Sequence, residues 1–355
     1  MIYFLNLIYS VVDTYIIGNI IPRRKLTDGA YWFLFAPVII VWLIICGGQD
    51  NVGTDYPSYI ELFHGQSLDR YEPGFVFIIG FCRYFHIEGQ AIYFVFYALG
   101  FFFLGLILRR IDTKYLFLFI LLYITMTGLF NNQLNILRQI IATYIGTYGA
   151  LAIIDHRYFR GVIFILFASS IHFCALLFLG FLFTGQLHFI TIRSLYICFA
   201  ISLVLSFLIS PSLINHLDFL IPQTYIKFIT ASAIEERSIL LKITKYIFVP
   251  VYLIALSKFQ SLNLTSNEIS LFKYGFLAFC LKMTLLNLTI ISRLFDIFLI
   301  FSIFPIFYYL RNLDKRSKTA FTVLVCFFVC IYGAKVLLFP SAEYLYQSIY
   351  SKFVI

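Results

Sequence analysis

Residues 131–154 read NNQLNILRQIIATYIGTYGALAII, a short polar segment followed by one long apolar stretch. Arg138 and Gln139 stand where the two parts meet, and the residues from Ile140 to Ile154 are typical of a helix inside a bilayer. An unpaired charge at such a border costs a few kcal/mol or more. Arg138 is therefore expected to meet either a permanent carboxylate partner or an anionic ligand.

The rest of the chain has the same apolar character. Of its 355 residues, 61% are hydrophobic and only 12% are charged, which excludes an ordinary soluble domain. The net charge of +9 comes from Lys and Arg in short clusters beside apolar segments, which predicts membrane topology and not nucleic-acid binding. The seven cysteines lie singly, so neither disulfides nor a metal site is expected. We predict an all-α, polytopic integral membrane protein, with residues 1–355 forming a single transmembrane domain.

Apolar runs predict about 10–12 transmembrane helices, together with membrane-dipping segments and a periplasmic surface helix. The N-terminal residues lack a basic leader and a small-residue cleavage site, so they are expected to remain as the first helix. Basic clusters at residues 23–25, 109–114, 156–160 and 311–318 should face the cytoplasm. The candidate spans are residues 2–21, 30–48, 91–108, 115–130, 137–154, 161–183, 194–210, 246–257, 269–289, 291–310 and 319–339.

These basic clusters assign the other segments to sides of the membrane. Residues 49–90 are predicted to form a periplasmic loop followed by a segment, residues 72–86, that dips into the membrane. Arg138 and Arg293 then share the outer side. Segment 161–183 is expected to enter and return on one side, the alternative being a plain crossing. Residues 211–245 carry charges at spacings of three and four, which predicts a periplasmic amphipathic helix on the membrane surface.

The most polar sequence beside an apolar wall is VGTDYPSY, residues 52–59. Gly53 and Pro57 bracket Asp55, and a carboxylate fixed on a rigid turn suits a catalytic base or an acceptor for sugar hydroxyls. The alternative is an Asx-turn that only closes the loop. Glu72 likewise either caps the following helix or binds substrate hydroxyls.

The two outer arginines each have a structural and a functional interpretation. Arg138 could pair with Asp55 or Glu72, and Arg293 could pair with Asp296 three residues further on. Two arginines on one side could instead hold a diphosphate, because the planar guanidinium matches phosphate oxygens. We favour diphosphate binding for both.

Four further ionisable residues lie within apolar segments. His172 is either a hydrogen-bonded core residue or a functional residue near a membrane turn. In the second case it acts as a base or donates a hydrogen bond to a phosphate. Asp13, Lys282 and Lys335 either line a pathway or pair within the bundle.

Five short landmarks follow one another along the chain: Gly53-Thr54-Asp55-Tyr56 with Tyr59, Glu72-Pro73-Gly74-Phe75, Asn135 to Arg138-Gln139 with Ala142, His172-Phe173 with Ala175, and Ser292-Arg293. In this order they resemble the EpsG family of Wzy-type polysaccharide polymerases. Family members often have an arginine shortly before Gly-Thr-Asp, where this chain has Gln49-Asp50-Asn51. The resemblance implies a multi-pass protein of the bacterial inner membrane, with its active site toward the periplasm, that polymerises O-antigen, capsule or exopolysaccharide units.

The implied reaction moves a growing glycan from undecaprenyl diphosphate onto another lipid-linked repeat unit. Its implied partners are undecaprenyl-diphosphate-linked oligosaccharides and the lipid bilayer, with a flippase and a chain-length regulator, and no cofactor is expected. In such a reaction Arg138 and Arg293 would hold the leaving diphosphate, and Asp55 or His172 would take the acceptor proton. Glu72 and Arg83 would orient the substrates. Further substrate contacts are expected from the polar and aromatic landmarks Gln139, Asn135, Tyr56 and Tyr59.

Two other functions fit a polytopic chain of this kind. A flippase or permease for lipid-linked oligosaccharides would carry charged residues through the depth of its pathway. A membrane acyltransferase would need a central histidine within reach of a cytoplasmic acyl donor. The clustering of polar residues on the outer side favours the polymerase.

Overall fold

The computed structural model describes residues 1–20, 27–209, 246–338 and 345–350. These residues are mostly helical, which confirms the predicted all-α, multi-pass membrane fold. Two predicted features, the basic cluster at residues 23–25 and the amphipathic helix at residues 211–245, lie outside the described residues.

The chain divides into two compact units. Unit 1 comprises Met1–Phe181 with Ser317–Ile355, and unit 2 comprises Leu182–Arg316. The assignment of the whole chain to one transmembrane domain stays a prediction.

Unit 1 contains most of the long helices. Within the described residues, its α-helices are α1 (Ile2–Ile20), α2 (Asp28–Gly47), α3 (Tyr56–Phe63), α4 (Pro73–Tyr84), α5 (Gln90–Leu108), α6 (Thr113–Thr125), α7 (Leu129–Asn132), α8 (Leu137–Ile154), α9 (Tyr158–Ile171) and, after unit 2, a final helix at Lys318–Gly333 that continues as a π-helical turn to Leu338.

Unit 2 contains α10 (Ile192–Leu208), α11 (Val249–Ser257), α12 (Ser266–Thr284), α13 (Thr289–Leu294) and α14 (Leu299–Arg316), so the final helix is α15. A 3₁₀-helical stretch at Phe173–Phe189 precedes α10. In the described part of the chain, five stretches are long and apolar enough to cross a bilayer: Asp28–Gly47, Gln90–Leu108, Leu137–Ile154, Ile291–Arg316 and Lys318–Leu338.

Several predicted spans are interrupted, because hydropathy does not report where the backbone breaks. The candidate span at residues 115–130 ends as a helix at Thr125, and Gly128 then adopts a left-handed φ of 69° before the short α7. The candidate span at residues 161–183 breaks at His172, whose φ and ψ of −152° and 119° are extended. Its predicted return to one side of the membrane stays a prediction.

Helix α4, which lies within the predicted dipping segment, is too short to cross the bilayer. Its 12 residues rise only about 18 Å, which is less than the roughly 30 Å hydrocarbon core. Pro73 at its first turn is compatible with a helix start, where the missing N–H has no intrahelical acceptor.

Helix α8 is the centre of unit 1. In this helix 94% of the residues are buried, so its polar side chains are surrounded by protein and not by lipid. It packs closely against α9 where Gly149 and Gly161 meet, since a Cβ at Gly149 would lie 2.8 Å from the Gly161 carbonyl oxygen. Replacing either glycine would therefore push the two helices apart.

A buried polar network joins the segment before α8 to its neighbours. The side chain of Gln133 donates to the Cys46 sulfur at 3.1 Å and accepts from the Tyr144 hydroxyl at 2.9 Å. Its backbone carbonyl accepts from the Tyr97 hydroxyl at 2.8 Å. Because buried polar groups must be hydrogen-bonded, this network fixes the position of residues 131–135 beneath the start of α8.

Unit 2 contains a buried ion pair. Lys282 of α12 contacts the carboxylate of Asp296, and its Nζ lies 2.6 Å from the Ser292 hydroxyl. The side chains of Lys282 and Asp296 are 16% and 7% exposed, so both charges are largely removed from water. This contact joins α12 to the segment before α14, where α13 and a 3₁₀ turn form the first part of the span predicted at residues 291–310.

Candidate functional site

Three elements of unit 1 hold Arg138 at the start of α8. Its Nη1 lies 2.6 Å from Oε2 of Glu72, which precedes α4. Its Nε donates to the Tyr59 hydroxyl of α3 at 3.3 Å. The guanidinium carbon also lies 4.8 Å and 5.3 Å from the ring centroids of Tyr71 and Phe75. Of the carboxylate partners considered from the sequence, Glu72 is therefore the one that Arg138 contacts.

The residues that contact this guanidinium lie at the starts of helices, and Arg138 itself lies in the first turn of α8. The N-cap residues of α3, α4 and α8 are Asp55, Glu72 and Ile136, and none of them caps its helix with its side chain. A helix N-terminus carries a partial positive charge of about half a unit, and the charge of Arg138 adds to it. The region therefore favours an anion, and Glu72 is the anion that stands there.

The loop before α3 is fixed by Asn135, three residues before Arg138. The Asn135 Oδ1 accepts from the backbone N–H of Asp55 at 2.9 Å and from the Thr54 hydroxyl at 3.2 Å. Gly53 has a φ of 77°, and a Cβ there would lie 2.8 Å from the same oxygen. Glycine is needed for both the left-handed backbone and the close approach. This contact holds Asp55 one helical turn from Tyr59, the residue that binds Arg138.

Tyr56 connects this loop to the end of α2. Its hydroxyl donates to Gln90 Oε1 at 2.8 Å, and the Gln90 amide donates to the carbonyl oxygens of Gly47 and Gln49. Burial and the neighbouring Asp50 raise the pKa of Tyr56 to about 12, so it remains a neutral phenol at physiological pH. Its contacts are structural ones within unit 1.

The C-terminal segment at residues 345–350 supports the same loop from another side. The N–H of Asp50 donates to the Gln347 carbonyl, and the N–H of Ile349 donates to the Gly48 carbonyl, both at 3.0 Å. This contact was not predicted from the sequence. A two-residue β-bridge between segments nearly 300 positions apart leaves no periodic signal that could have predicted it.

His172 lies in the break between α9 and the following 3₁₀ stretch, close to Glu72. The N–H of Phe173 lies 3.4 Å from Glu72 Oε1, and the N–H of Cys174 donates to His172 Nδ1 at 3.3 Å. Burial and the positive charge of Arg138 lower the pKa of His172, although Glu72 opposes the shift. The neutral imidazole that results accepts at Nδ1, so its proton is on Nε2, which can donate.

Asp55, Tyr59, Glu72, Arg138 and His172 thus form one group within unit 1, which we call the Arg138 cluster. Burial raises the pKa of Tyr59, and the charge of Asp55 raises it further while Arg138 lowers it. Tyr59 is therefore a neutral phenol that accepts from Arg138 through its oxygen and retains its own O–H as a donor. The cluster contains two carboxylates, one guanidinium and two neutral donors.

Arg83 and Gln139, which were predicted to contact substrate, lie outside the Arg138 cluster as defined above. Arg83, at the far end of α4, donates to the carbonyl oxygens of Leu62 and Gln66 at 2.8 Å and 3.3 Å, so it holds the segment after α3. Gln139 is buried, and its carbonyl accepts from the Thr143 hydroxyl one turn further along α8. A substrate contact by either residue stays a prediction.

Arg293 belongs to unit 2, where it is exposed on the six-residue α13. The buried Asp296 carboxylate, which was considered from the sequence as a partner of Arg293, contacts Lys282. Lys282, considered from the sequence as a pathway residue, is paired within the bundle. The common binding of a diphosphate by Arg138 and Arg293 stays a prediction.

Comparison with profiles of protein families matches residues 31–350 to the EpsG family. No curated protein and no solved structure matches the chain. The matched range includes the whole Arg138 cluster as well as Arg293. Since the match covers most of its length, the chain belongs to the EpsG family.

Proposed function

We propose that this protein is a polysaccharide polymerase that transfers a growing glycan from undecaprenyl diphosphate onto a lipid-linked repeat unit. The observation that carries the proposal is the Arg138 cluster of a membrane protein of the EpsG family, in which a part-buried arginine contacts Glu72 and Asp55 is held one helical turn from Tyr59. A glycosyl diphosphate donor needs a cation at the leaving group and a base at the acceptor hydroxyl. The cluster contains both.

Arg138 is the proposed ligand of the leaving diphosphate. The side chains of Arg138 and Glu72 are 24% and 18% exposed, so the pair is held by protein yet remains within reach of a ligand. A guanidinium has five N–H donors, and its bonds to Glu72 and Tyr59 use two of them. A phosphate can thus join these contacts or replace Glu72, with the N-terminus of α8 adding to its stabilisation.

Asp55 is the proposed base. The alternative base, His172, accepts the Cys174 N–H at Nδ1 and carries its proton on Nε2, which supports a role as donor to the substrate. In the proposed step, the Asp55 carboxylate takes the acceptor proton and the acceptor oxygen bonds to the anomeric carbon. The bond from that carbon to the diphosphate oxygen breaks, and the electron pair leaves with the diphosphate beside Arg138.

The remaining predicted residues take supporting roles in this proposal. Asn135 positions Asp55, and Tyr59 positions Arg138, in agreement with their hydrogen bonds. The contacts of Arg83 with backbone carbonyls support a positioning role and not contact with substrate. Glu72 is the resident counter-ion of Arg138.

We further propose that the Arg138 cluster faces the periplasm of the bacterial inner membrane. The opposite end of α8, about 25 Å away along its axis, lies beside Arg110, Arg157 and Arg160, and basic residues collect on the cytoplasmic side. In this orientation, a flippase would deliver the lipid-linked units and a chain-length regulator would act on the product.

The test is complementation of a strain that lacks this gene, with a gel of the surface glycan. The wild-type chain should restore a ladder, while Arg138→Ala and Asp55→Asn variants present in membranes should give only the single-repeat product. Arg109→Ala, which changes an arginine outside the cluster, is the matched control and should give the ladder. A full ladder from Arg138→Ala overturns the diphosphate contact. Complete loss of surface repeats on deletion indicates an export protein and overturns the polymerase.

A further inference from the structure

A second group of arginines surrounds Tyr148, far from the Arg138 cluster. The guanidinium carbons of Arg110 and Arg160 lie 5.9 Å and 5.4 Å from the centroid of the Tyr148 ring. Arg160 donates to the Tyr148 hydroxyl and also lies over the ring of Phe164, at 5.8 Å. The aromatic side chains thus hold the Arg160 guanidinium in a fixed position.

This group has more positive than negative charge. Arg110 pairs with Asp155 at 2.8 Å. Burial lowers the pKa of Arg110, and the charge of the nearby Arg157 lowers it further. Among the described residues, no carboxylate pairs with Arg157 or Arg160, whereas Arg138 has one. Three arginines beside one carboxylate attract a further anion.

The position of this group of arginines indicates which anion it can bind. It lies at the C-terminal end of α8, where a membrane-spanning segment ends, and α9 begins with Tyr158 and Phe159, which are 45% and 82% exposed. Exposed aromatic residues beside basic ones are typical of the boundary between hydrocarbon and headgroups. The phosphates of lipids lie at this depth.

We propose that Arg157 and Arg160, held beside Tyr148 and Arg110, bind the phosphate of an anionic phospholipid headgroup. The guanidinium groups supply charge-assisted hydrogen bonds to the phosphodiester oxygens, and the exposed aromatic residues contact the acyl-chain region. A lipid with a net negative charge is favoured over a zwitterionic one, because the choline group of the latter would add positive charge to the cluster. The site is separate from the proposed glycosyl transfer and does not depend on it.

Native mass spectrometry of the delipidated, full-length protein tests this proposal, with phosphatidylglycerol and phosphatidylcholine as probes. We expect phosphatidylglycerol to bind the wild-type chain more tightly, and Arg157→Gln/Arg160→Gln to weaken that binding about 30-fold, from roughly fivefold per arginine. Arg160→Lys, which keeps the charge, should retain most of the selectivity. Arg109→Gln is the matched control, because Arg109 is an exposed arginine already paired with Asp28, and it should bind like the wild type.

Each alternative result contradicts the proposal. Equal binding of the two lipids to the wild-type chain, or equal binding of phosphatidylglycerol to the wild-type and doubly substituted chains, overturns the site. Inorganic phosphate that binds without lipid and competes with phosphatidylglycerol at millimolar concentration indicates a general anion site and overturns the lipid assignment. If the double variant fails to fold, Arg160→Gln alone should still lose several-fold in affinity, and unchanged affinity refutes the proposal.

Discussion

Removing both charges of the Arg138–Glu72 pair distinguishes a structural arginine from one that binds the diphosphate. Glu72→Gln or Arg138→Met alone leaves one part-buried charge without its ionic partner. Loss of one partner costs about 3–5 kcal/mol for a fully buried pair, and because these side chains are 24% and 18% exposed we expect about 2–3 kcal/mol. The double variant Arg138→Met/Glu72→Gln should recover to within about 1 kcal/mol of the wild type, since no unpaired charge remains.

Activity should not recover with stability. An arginine that stabilises the leaving diphosphate contributes in the transition state, and loss of one such positioned donor lowers the rate by about 10²–10³-fold. We therefore expect both the single Arg138→Met variant and the double variant to polymerise at least about 100-fold more slowly. Stability is measured by thermal unfolding in detergent, and activity by ladder formation from purified lipid-linked repeat units in liposomes.

The exposed pair Arg109–Asp28 gives the matched control. Its side chains are 40% and 71% exposed, so Arg109→Met/Asp28→Asn should change stability by less than about 1 kcal/mol and leave polymerisation intact. If Arg138→Met/Glu72→Gln regains activity together with stability, Arg138 serves only to neutralise Glu72 and the proposed diphosphate contact is refuted.

Three further variants test the local geometry. Gly53→Ala should destabilise the loop by about 1–2 kcal/mol, because φ is 77°, and should slow polymerisation by displacing Asp55. The control Gly80→Ala, with open space around its Cβ, should do neither. Thermal unfolding and the ladder assay compare the two variants. Burial and the charge of Arg138 lower the pKa of His172 from 6.5 to about 4, so the unfolded chain binds this proton more readily. The free energy of unfolding should therefore fall as the pH decreases from about 6.5 to about 4. If the His172→Gln variant loses stability over this pH range as steeply as the wild type, His172 is not the cause. Lys282→Met should lower the free energy of unfolding by about 3–5 kcal/mol, because it leaves the buried Asp296 unpaired. Lys282→Met/Asp296→Leu should regain most of that stability. Equal thermal stability of the single and double variants would argue against the buried pair.

The apolar spans were predictable because each one leaves a continuous hydropathy signal. The start of α8 was predicted at residue 137 and its end at residue 154, and both agree with the structure. The turn near His172 was predicted, and the helix does break there. The interruption at Gly128 and the 3₁₀ turn between α13 and α14 were not predicted. They depend on contacts between distant residues, such as that of Lys282 with Asp296, and hydropathy contains no information about such contacts.

The candidate site was predictable to a similar extent. Polar residues inside apolar sequence identified Asp55, Glu72, Arg138 and His172, and the structure groups them within unit 1. The sequence could not decide whether Asp55 or Glu72 contacts Arg138, because both precede short helices in the same loop region. In the structure, the Asp55 N–H donates to Asn135 Oδ1 and fixes the loop, while the Glu72 carboxylate reaches the guanidinium.

The contact with Glu72 also changes how the two interpretations of Arg138 relate to each other. From the sequence, a permanent carboxylate partner and an anionic ligand were alternatives, because either one would neutralise the charge of Arg138. An arginine at a helix N-terminus must be neutralised even when no substrate is bound, because the partial charge of the helix adds to its own. Glu72 fulfils that requirement, and a diphosphate has more negative charge and more acceptor oxygens than one carboxylate. In the function proposed above, Glu72 therefore neutralises Arg138 before substrate binds, and the diphosphate then competes with Glu72 for the same donors.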